Sequence, residues 1–249
     1  MAKQIIFLHI PKTGGTSIED LLRRSSYFEF SDAKDDLSLT KVFFTEISKS
    51  FAGHFTWESL QKFEHGIFKM TFIRDPLDRL ISHFNFYRSH SLHFINSAEP
   101  NVRHKLESAR SSKFRDFLQI SEIQDEFDNR FLRTFLTLEE RNSLTHDHRS
   151  GPALIQIASQ RMLMLDFVGR FEEIEKDLRS LCAVLRIGDL NLKHLQNLND
   201  LVSKNINFDL APTISRGELT DEDYSIAAKK TIWDYQLLSR INFSSKIDK

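Results

Sequence analysis

The sequence is poor in cysteine and in long apolar segments, and each shortage excludes a class of protein. Cys182 is the single cysteine among 249 residues, so no disulfide can form within the chain and a reducing compartment is expected. No segment approaches the roughly 20 apolar residues of a membrane-spanning helix. The apolar run before Pro11 is too short for a secretion signal. We therefore expect a cytoplasmic protein without a transmembrane segment.

An excess of either charge is also lacking. The chain has 34 basic and 35 acidic residues, a formal net charge of −1, so no overall field attracts it to nucleic acid or to an anionic membrane. We expect no nucleic-acid partner. With 40% hydrophobic residues, the length suits a single domain over residues 1–249. The oligomeric state has no signature in the sequence.

Apolar runs of strand length, each followed by a helical pattern, define the fold class. Buried strands are predicted at 5–10 and 67–73, with further strands at 41–47 and 166–171. Repeated strand–loop–helix units indicate an α/β protein, a three-layer sandwich with a central parallel sheet. Helical patterns over about 90–160 predict a helical insertion that caps this sandwich.

The segment between the first strand and the first helix has the composition of an anion-binding loop. A glycine pair lets backbone N–H groups turn inward, and the helix that follows adds the positive end of its dipole. Lysine and hydroxyl side chains supply further donors. The candidate residues are Pro11, Lys12, Thr13, Gly14, Gly15, Thr16 and Ser17. The usual nucleotide loop places its lysine after the glycines, whereas here Lys12 precedes them.

Two motifs together resemble those of one enzyme family. "HIPKTGGTS" is similar to the 5′-phosphosulfate loop of sulfotransferases that use 3′-phosphoadenosine 5′-phosphosulfate (PAPS), and "FIRDPLDRLISHFNF" resembles their 3′-phosphate element. The likeness is greatest to glycan O-sulfotransferases, such as the heparan sulfate 2-O and 6-O enzymes, and their bacterial relatives. It implies a P-loop-NTPase-like fold. It also implies that residues 11–17 bind the 5′-phosphosulfate, and that Arg74 and Ser82 bind the 3′-phosphate.

A third segment, "AGHFTWESL", places His54 where the 2-O and 6-O enzymes have their general base. The resemblance therefore implies that His54 and Lys12 are catalytic. The implied reaction moves a sulfuryl group from PAPS to an acceptor hydroxyl, with adenosine 3′,5′-bisphosphate (PAP) as product. A saccharide is the expected acceptor. The leaving group is already a stabilised anion, so we expect no metal requirement.

Other functions are compatible with parts of the same pattern. The acceptor could be a peptide tyrosine or a small alcohol. An ATP-dependent P-loop kinase, or a nucleotide-binding module without activity, would also have a glycine loop after a buried strand. Arg130 or Arg133 could contact the cofactor or the acceptor, by a fainter similarity of "DNRFLRTF".

Several basic residues lie in the predicted helical insertion without forming a recognisable motif. Its members are Arg103, His104, Lys105, Arg110, Lys113 and Arg115. They could attract an anionic sugar or peptide. Because Glu107 and Asp116 are interleaved with them, we interpret the segment as an ordinary charged helix surface.

Overall fold

The computed structural model describes residues 4–42, 44–46, 48–63, 66–146, 151–188 and 210–241. Within these residues, four parallel strands form one sheet in the order β2-β1-β3-β4. The strands are β1 (Ile5–Leu8), β2 (Phe51–Gly53), β3 (Phe68–Ile73) and β4 (Phe167–Arg170). Three of the four strands predicted from the sequence are therefore confirmed.

The strand predicted at 41–47 is wrong. Residues 41 and 42 end a helix, and the second strand lies at Phe51–Gly53. The helix begins after Asp35, whose side chain accepts a hydrogen bond from the N–H of Ser38 at 2.8 Å. An acidic cap that binds the third helical N–H is a helix start signal, and here it outweighs the β-forming residues that follow. Phe44 is accordingly 85% exposed.

Thirteen α-helices occur in the described residues. In chain order they are α1 (Gly15–Arg24), α2 (Asp36–Val42), α3 (Trp57–Leu60), α4 (Pro76–Arg88), α5 (Leu92–Ser97), α6 (Pro100–Ser111), α7 (Phe114–Phe117), α8 (Gln124–Phe127), α9 (Arg130–Thr134), α10 (Leu138–His146), α11 (Gly151–Leu163), α12 (Ile174–Leu185) and α13 (Asp221–Ser239).

The chain divides into two compact units. The sheet unit comprises residues 1–74, 131–195 and 233–249, and the helical unit comprises 75–130 and 196–232. The expectation of one domain over 1–249 stays a prediction. The helical segment predicted at about 90–160 is shared between the units, because its residues beyond 130 belong to the sheet unit.

The sheet unit has a hydrophobic layer on each face of the sheet. Side chains alternate along β1, so Ile5 and Phe7 enter one layer while Ile6 and Leu8 enter the other. Helices α1 and α12 cover the first layer, and α3 and α11 cover the second. Cys182 is buried in the first layer. The three-layer α/β sandwich with a parallel sheet is thus confirmed.

The helical unit has an aromatic core of its own. Phenylalanines of α4, α7 and α8 pack together there, among them Phe84, Phe117 and Phe127. Arg79 is fully buried in the unit, and its guanidinium donates to the carbonyls of Glu126 and Phe127 at 3.3 and 3.4 Å. These hydrogen bonds to backbone carbonyls offset part of the free-energy cost of burying the cation.

We predict that Gly53→Ala destabilises the sheet unit. A Cβ at Gly53 would lie 2.4 Å from the carbonyl oxygen of Lys34, and backbone cannot move aside as a flexible side chain can. The free energy of unfolding, measured in urea, should fall by roughly 1–3 kcal/mol. Gly217→Ala is the matched control, since no atom lies within 4 Å of a Cβ there. Equal stability of the two variants would contradict the close approach.

Candidate functional site

The carboxyl ends of the four strands form one edge of the sheet, and the predicted loop lies there. Leu8 pairs with both Gly53 and Thr71, and Ile73 pairs with Arg170. The residues that follow these strands therefore leave the sheet at the same edge. Ligands of open parallel sheets bind at this edge.

The loop after β1 has an unusual backbone. Lys12 has φ 71° and Gly14 has φ 82°, a left-handed conformation that costs a non-glycine residue such as Lys12 of order 1–3 kcal/mol. The buried hydroxyl of Thr13, between them, donates to the carbonyl of Ile10 at 2.8 Å and holds the turn. Helix α1 begins at Gly15 without a side-chain cap. Its first N–H groups can therefore bind an anion.

Aromatic neighbours explain why glycines occupy positions 14 and 15. A Cβ at Gly14 would lie 2.7 Å from the ring of Phe171, and one at Gly15 would lie 2.0 Å from the ring of His9. Gly14 also needs its positive φ. The glycine pair thus lets two rings approach the loop, a role that the sequence did not suggest.

Lys12 and Arg74 bring two positive charges together at this edge. Nη1 of Arg74 lies 3.5 Å from the carbonyl oxygen of Lys12, and its guanidinium lies 4.4 Å from the centroid of the Phe171 ring. Burial and the nearby Arg74 charge lower the pKa of Lys12 to about 8. Two cations enclosed in this way form a surface that favours a bound anion.

His54 follows β2 and is oriented by the loop. Its Nδ1 lies 2.8 Å from the carbonyl oxygen of His9. A carbonyl can only accept, so Nδ1 carries the proton and the lone pair of the neutral ring is on Nε2. The side chain is exposed, which leaves Nε2 accessible to a substrate. In this tautomer Nε2 is the nitrogen that can accept a proton.

His9 is a site residue that the sequence reading missed. Its ring stacks on Phe7 and lies 4.6 Å, centroid to centroid, from the ring of His54. Burial, His54 and Lys12 lower the pKa of His9 to about 3, so this ring is neutral at physiological pH. The available signal was its place as the first residue of the motif "HIPKTGGTS".

The structure places the remaining candidates as follows. In the sheet unit, Pro11 is half-buried in the loop, while the exposed Thr16 and the half-buried Ser17 lie in the first turn of α1. Ser82 is half-buried on α4 of the helical unit. Arg133 is buried on α9, while Arg130 donates to the carbonyl of Asp125 at 3.2 Å. The sheet unit therefore brings together the 11–17 loop, His54 and Arg74.

Comparison with known proteins identifies the family. Residues 2–217 match the family described as "Sulfotransferase family", so the chain belongs to the sulfotransferases, the PAPS-dependent class that the two sequence motifs indicate. Among solved structures, mouse sulfotransferase SULT7A1 complexed with PAP is similar, with 15% identity and a TM-score of 0.45. The match covers all of this chain and 88% of that chain. No curated protein matches the sequence.

Two features are absent from the residues that the structure describes. No helix there has the length and apolar character to cross a membrane. Likewise, no group of three or more histidine, cysteine, aspartate or glutamate side chains in those residues could hold a metal ion.

We predict that Lys12 reacts with an amine-acylating reagent at unusually low pH. Acylation needs the neutral amine, so peptide mass spectrometry should find half-maximal reaction near pH 8 in the folded chain. In urea it should move toward the ordinary value of 10.5. Arg74→Met should raise the pKa of Lys12, since the Arg74 charge lowers it. Identical profiles in folded and unfolded chain would rule out this environment.

Proposed function

We propose that this sulfotransferase transfers the sulfuryl group of PAPS to a saccharide hydroxyl, with His54 as general base. The observation that carries the proposal is the 2.8 Å hydrogen bond from Nδ1 of His54 to the His9 carbonyl. It assigns the proton to Nδ1 and leaves Nε2 to accept one from a hydroxyl. The preference for a saccharide comes from the resemblance of the His54 segment and the loop to the glycan enzymes.

The donor set of the sheet unit suits the 5′ end of PAPS. N–H groups at the start of α1, the Lys12 ammonium and the hydroxyls of Thr16 and Ser17 would hold its 5′-phosphosulfate. Arg74 would hold its 3′-phosphate, and the 3′-phosphate role that the resemblance implies for Ser82 stays a prediction. When bound, PAPS supplies a sulfuryl group attached to a phosphate leaving group.

The residues of the chain then have separate tasks. Nε2 of His54 takes the proton from the acceptor hydroxyl, a step worth ~10²–10⁴-fold in rate. Lys12 and the loop N–H groups stabilise the negative charge that grows on the 5′-phosphate, and they do so without reorganising.

The uncharged ring of His9 does not oppose proton uptake by His54. The imidazolium that forms on His54 lies beside the His9 ring, 4.6 Å away. A charged His9 would repel it, whereas the low pKa of His9, about 3, keeps that ring neutral. We therefore assign His9 as a positioning residue that orients His54 through its carbonyl and lies against it as an uncharged ring.

We expect the chain to bind PAP more tightly than ADP in calorimetric titrations without magnesium, by at least about tenfold. The reason is the additional charge-assisted contact to the 3′-phosphate. Arg74→Ala should weaken PAP far more than adenosine 5′-monophosphate. A uniform loss would contradict the 3′-phosphate role of Arg74. Preference for ADP, or a magnesium requirement, would favour the kinase.

We predict that His54→Asn lowers sulfuryl transfer to an oligosaccharide acceptor by ~10²–10⁴-fold. The asparagine amide can still donate to the His9 carbonyl but cannot accept a proton. Affinity for PAP, measured by calorimetry, should stay nearly unchanged. His93→Asn is the matched control, because His93 is an exposed residue of the helical unit. Parallel loss of turnover and of PAP binding in His54→Asn would show that His54 holds the cofactor instead.

A further inference from the structure

An aspartate at the start of α2 holds the segment that carries His54. Both carboxylate oxygens of Asp36 accept hydrogen bonds from Thr56, one from its backbone N–H at 3.0 Å and the other from its hydroxyl at 2.8 Å. Thr56 lies two residues after His54 in the chain. The proposed function assigns no task to Asp36 or to Thr56, so this contact needs an explanation of its own.

Thr56 leaves its segment on the same side as His54. Exposure alternates between β2 and α3, since Phe55 and Trp57 are buried while His54 is exposed and Thr56 is half-buried. In extended backbone, residues two positions apart point in the same direction. Thr56 itself is extended, with φ −104° and ψ 166°. A restraint on Thr56 therefore acts on the side of the chain from which His54 projects.

The turn that presents Asp36 is fixed by local hydrogen bonds. The hydroxyl of Ser38 accepts from the backbone N–H of Asp35 at 3.1 Å and donates to the Asp35 carboxylate at 2.7 Å. Just before this turn, the carbonyl of Lys34 accepts from the N–H of His54 at 2.7 Å. One short stretch of chain thus holds His54 through a carbonyl and the residue two positions later through a carboxylate.

The hydroxyl of Thr56 does not have the use that its position predicts. Thr56 is the N-cap residue of α3, where a threonine hydroxyl ordinarily accepts from an N–H of the first turn. Here it makes no such bond and donates to Asp36 instead. The contact therefore serves the tertiary arrangement of the His54 segment, and the helix that follows gains no cap from it.

We propose that Asp36 is a positioning residue that holds His54 against the His9 carbonyl through Thr56. The proposal rests on the proposed function, in which His54 is the base. The ring of His54 is exposed, so its position depends on the backbone that carries it. Restraint of that backbone keeps Nδ1 at 2.8 Å from the His9 carbonyl. Displacement of a reacting group by about 1 Å can cost ~10²-fold in rate.

The first measurement follows the tautomer of His54 in the full chain. The Nδ1 and Nε2 resonances of His54, assigned by their absence from His54→Asn, are recorded by nitrogen NMR at a pH where the ring is neutral. Their chemical shifts report which nitrogen carries the proton. We expect the proton on Nδ1 in the natural chain and a mixture of both tautomers in Asp36→Ala. Identical resonances in the two proteins would overturn the proposal.

Turnover then separates positioning from a structural role. Asp36→Ala should lower kcat for transfer to an oligosaccharide by ~10–10²-fold. KM for PAPS and affinity for PAP should stay nearly unchanged, because Thr56 lies outside the donor set assigned to PAPS. A loss of stability in urea, with kcat per folded molecule unchanged, would overturn the proposal.

Asp221→Ala is the matched control for this variant. Asp221 is likewise the first residue of a helix, α13, and it is exposed in the helical unit. The two substitutions therefore remove the same charge from the same helical position. We expect Asp221→Ala to leave kcat and the His54 resonances unchanged. An equal fall of kcat in both variants would overturn the assignment to Asp36.

Variants at Thr56 test the same contact without a change in α2. Thr56→Val removes the hydroxyl and its bond to Asp36 but keeps the backbone N–H, so it should shift the tautomer and lower kcat in the same direction as Asp36→Ala, by a smaller factor. Thr56→Ser, which provides a hydroxyl at this position, should recover most of that loss. Equal behaviour of the valine and serine variants would show that the hydroxyl bond has no positioning role.

The two readouts distinguish failure of this proposal from failure of the proposed function. The tautomer of His54 is measured without PAPS or acceptor. If Asp36→Ala changes the tautomer while His54→Asn retains full turnover, the positioning by Asp36 stands and the assignment of His54 as base fails. If His54→Asn loses turnover while Asp36→Ala changes neither the tautomer nor kcat, the base stands and the role of Asp36 is overturned.

Discussion

The hydrogen bond between His54 and the His9 carbonyl depends on the pairing of β1 with β2. The N–H of His9 donates to the carbonyl of Gly53 at 2.8 Å, and the N–H of His54 donates to the carbonyl of Lys34 at 2.7 Å. These backbone bonds place the two histidines side by side at the sheet edge. Gly53 permits the approach of Lys34, which a side chain would block. The tautomer of His54 with its proton on Nδ1 is thus a consequence of strand register.

The same edge concentrates positive charge while it keeps the ring of His9 uncharged. Lys12 and Arg74 lie close together, and burial together with the Arg74 charge lowers the pKa of Lys12. His9 stays neutral because burial and its cationic neighbours disfavour its protonation. Lys12 and Arg74 can therefore attract an anion to the loop, while the neutral His9 adds no third positive charge beside His54. The rigid parallel sheet holds these groups in place against their repulsion.

The sequence predicted those parts of the site that directly follow a recognisable strand. Two long buried strands were recognisable, and parallel strands end at one edge, so the loop and Arg74 could be expected together. The second strand, Phe51–Gly53, is too short for a periodic signal. The packing of Gly14 on Phe171 joins β1 to a residue after β4. Such distant contacts leave no local pattern, so the actual role of the glycine pair was missed.

The basic residues between 103 and 115 show the same limit of sequence reasoning. Helical periodicity predicts which face of a helix is polar, but it does not show which residues from other elements meet that face. Arg110, Lys113 and Arg115 read as surface charges in isolation, yet they share a cleft with Arg88 of α4. The net charge of −1 conceals this concentration, because it sums the charges of the whole chain without their positions. Attraction of an anionic ligand by this chain is therefore a property of local geometry, and composition alone cannot exclude it.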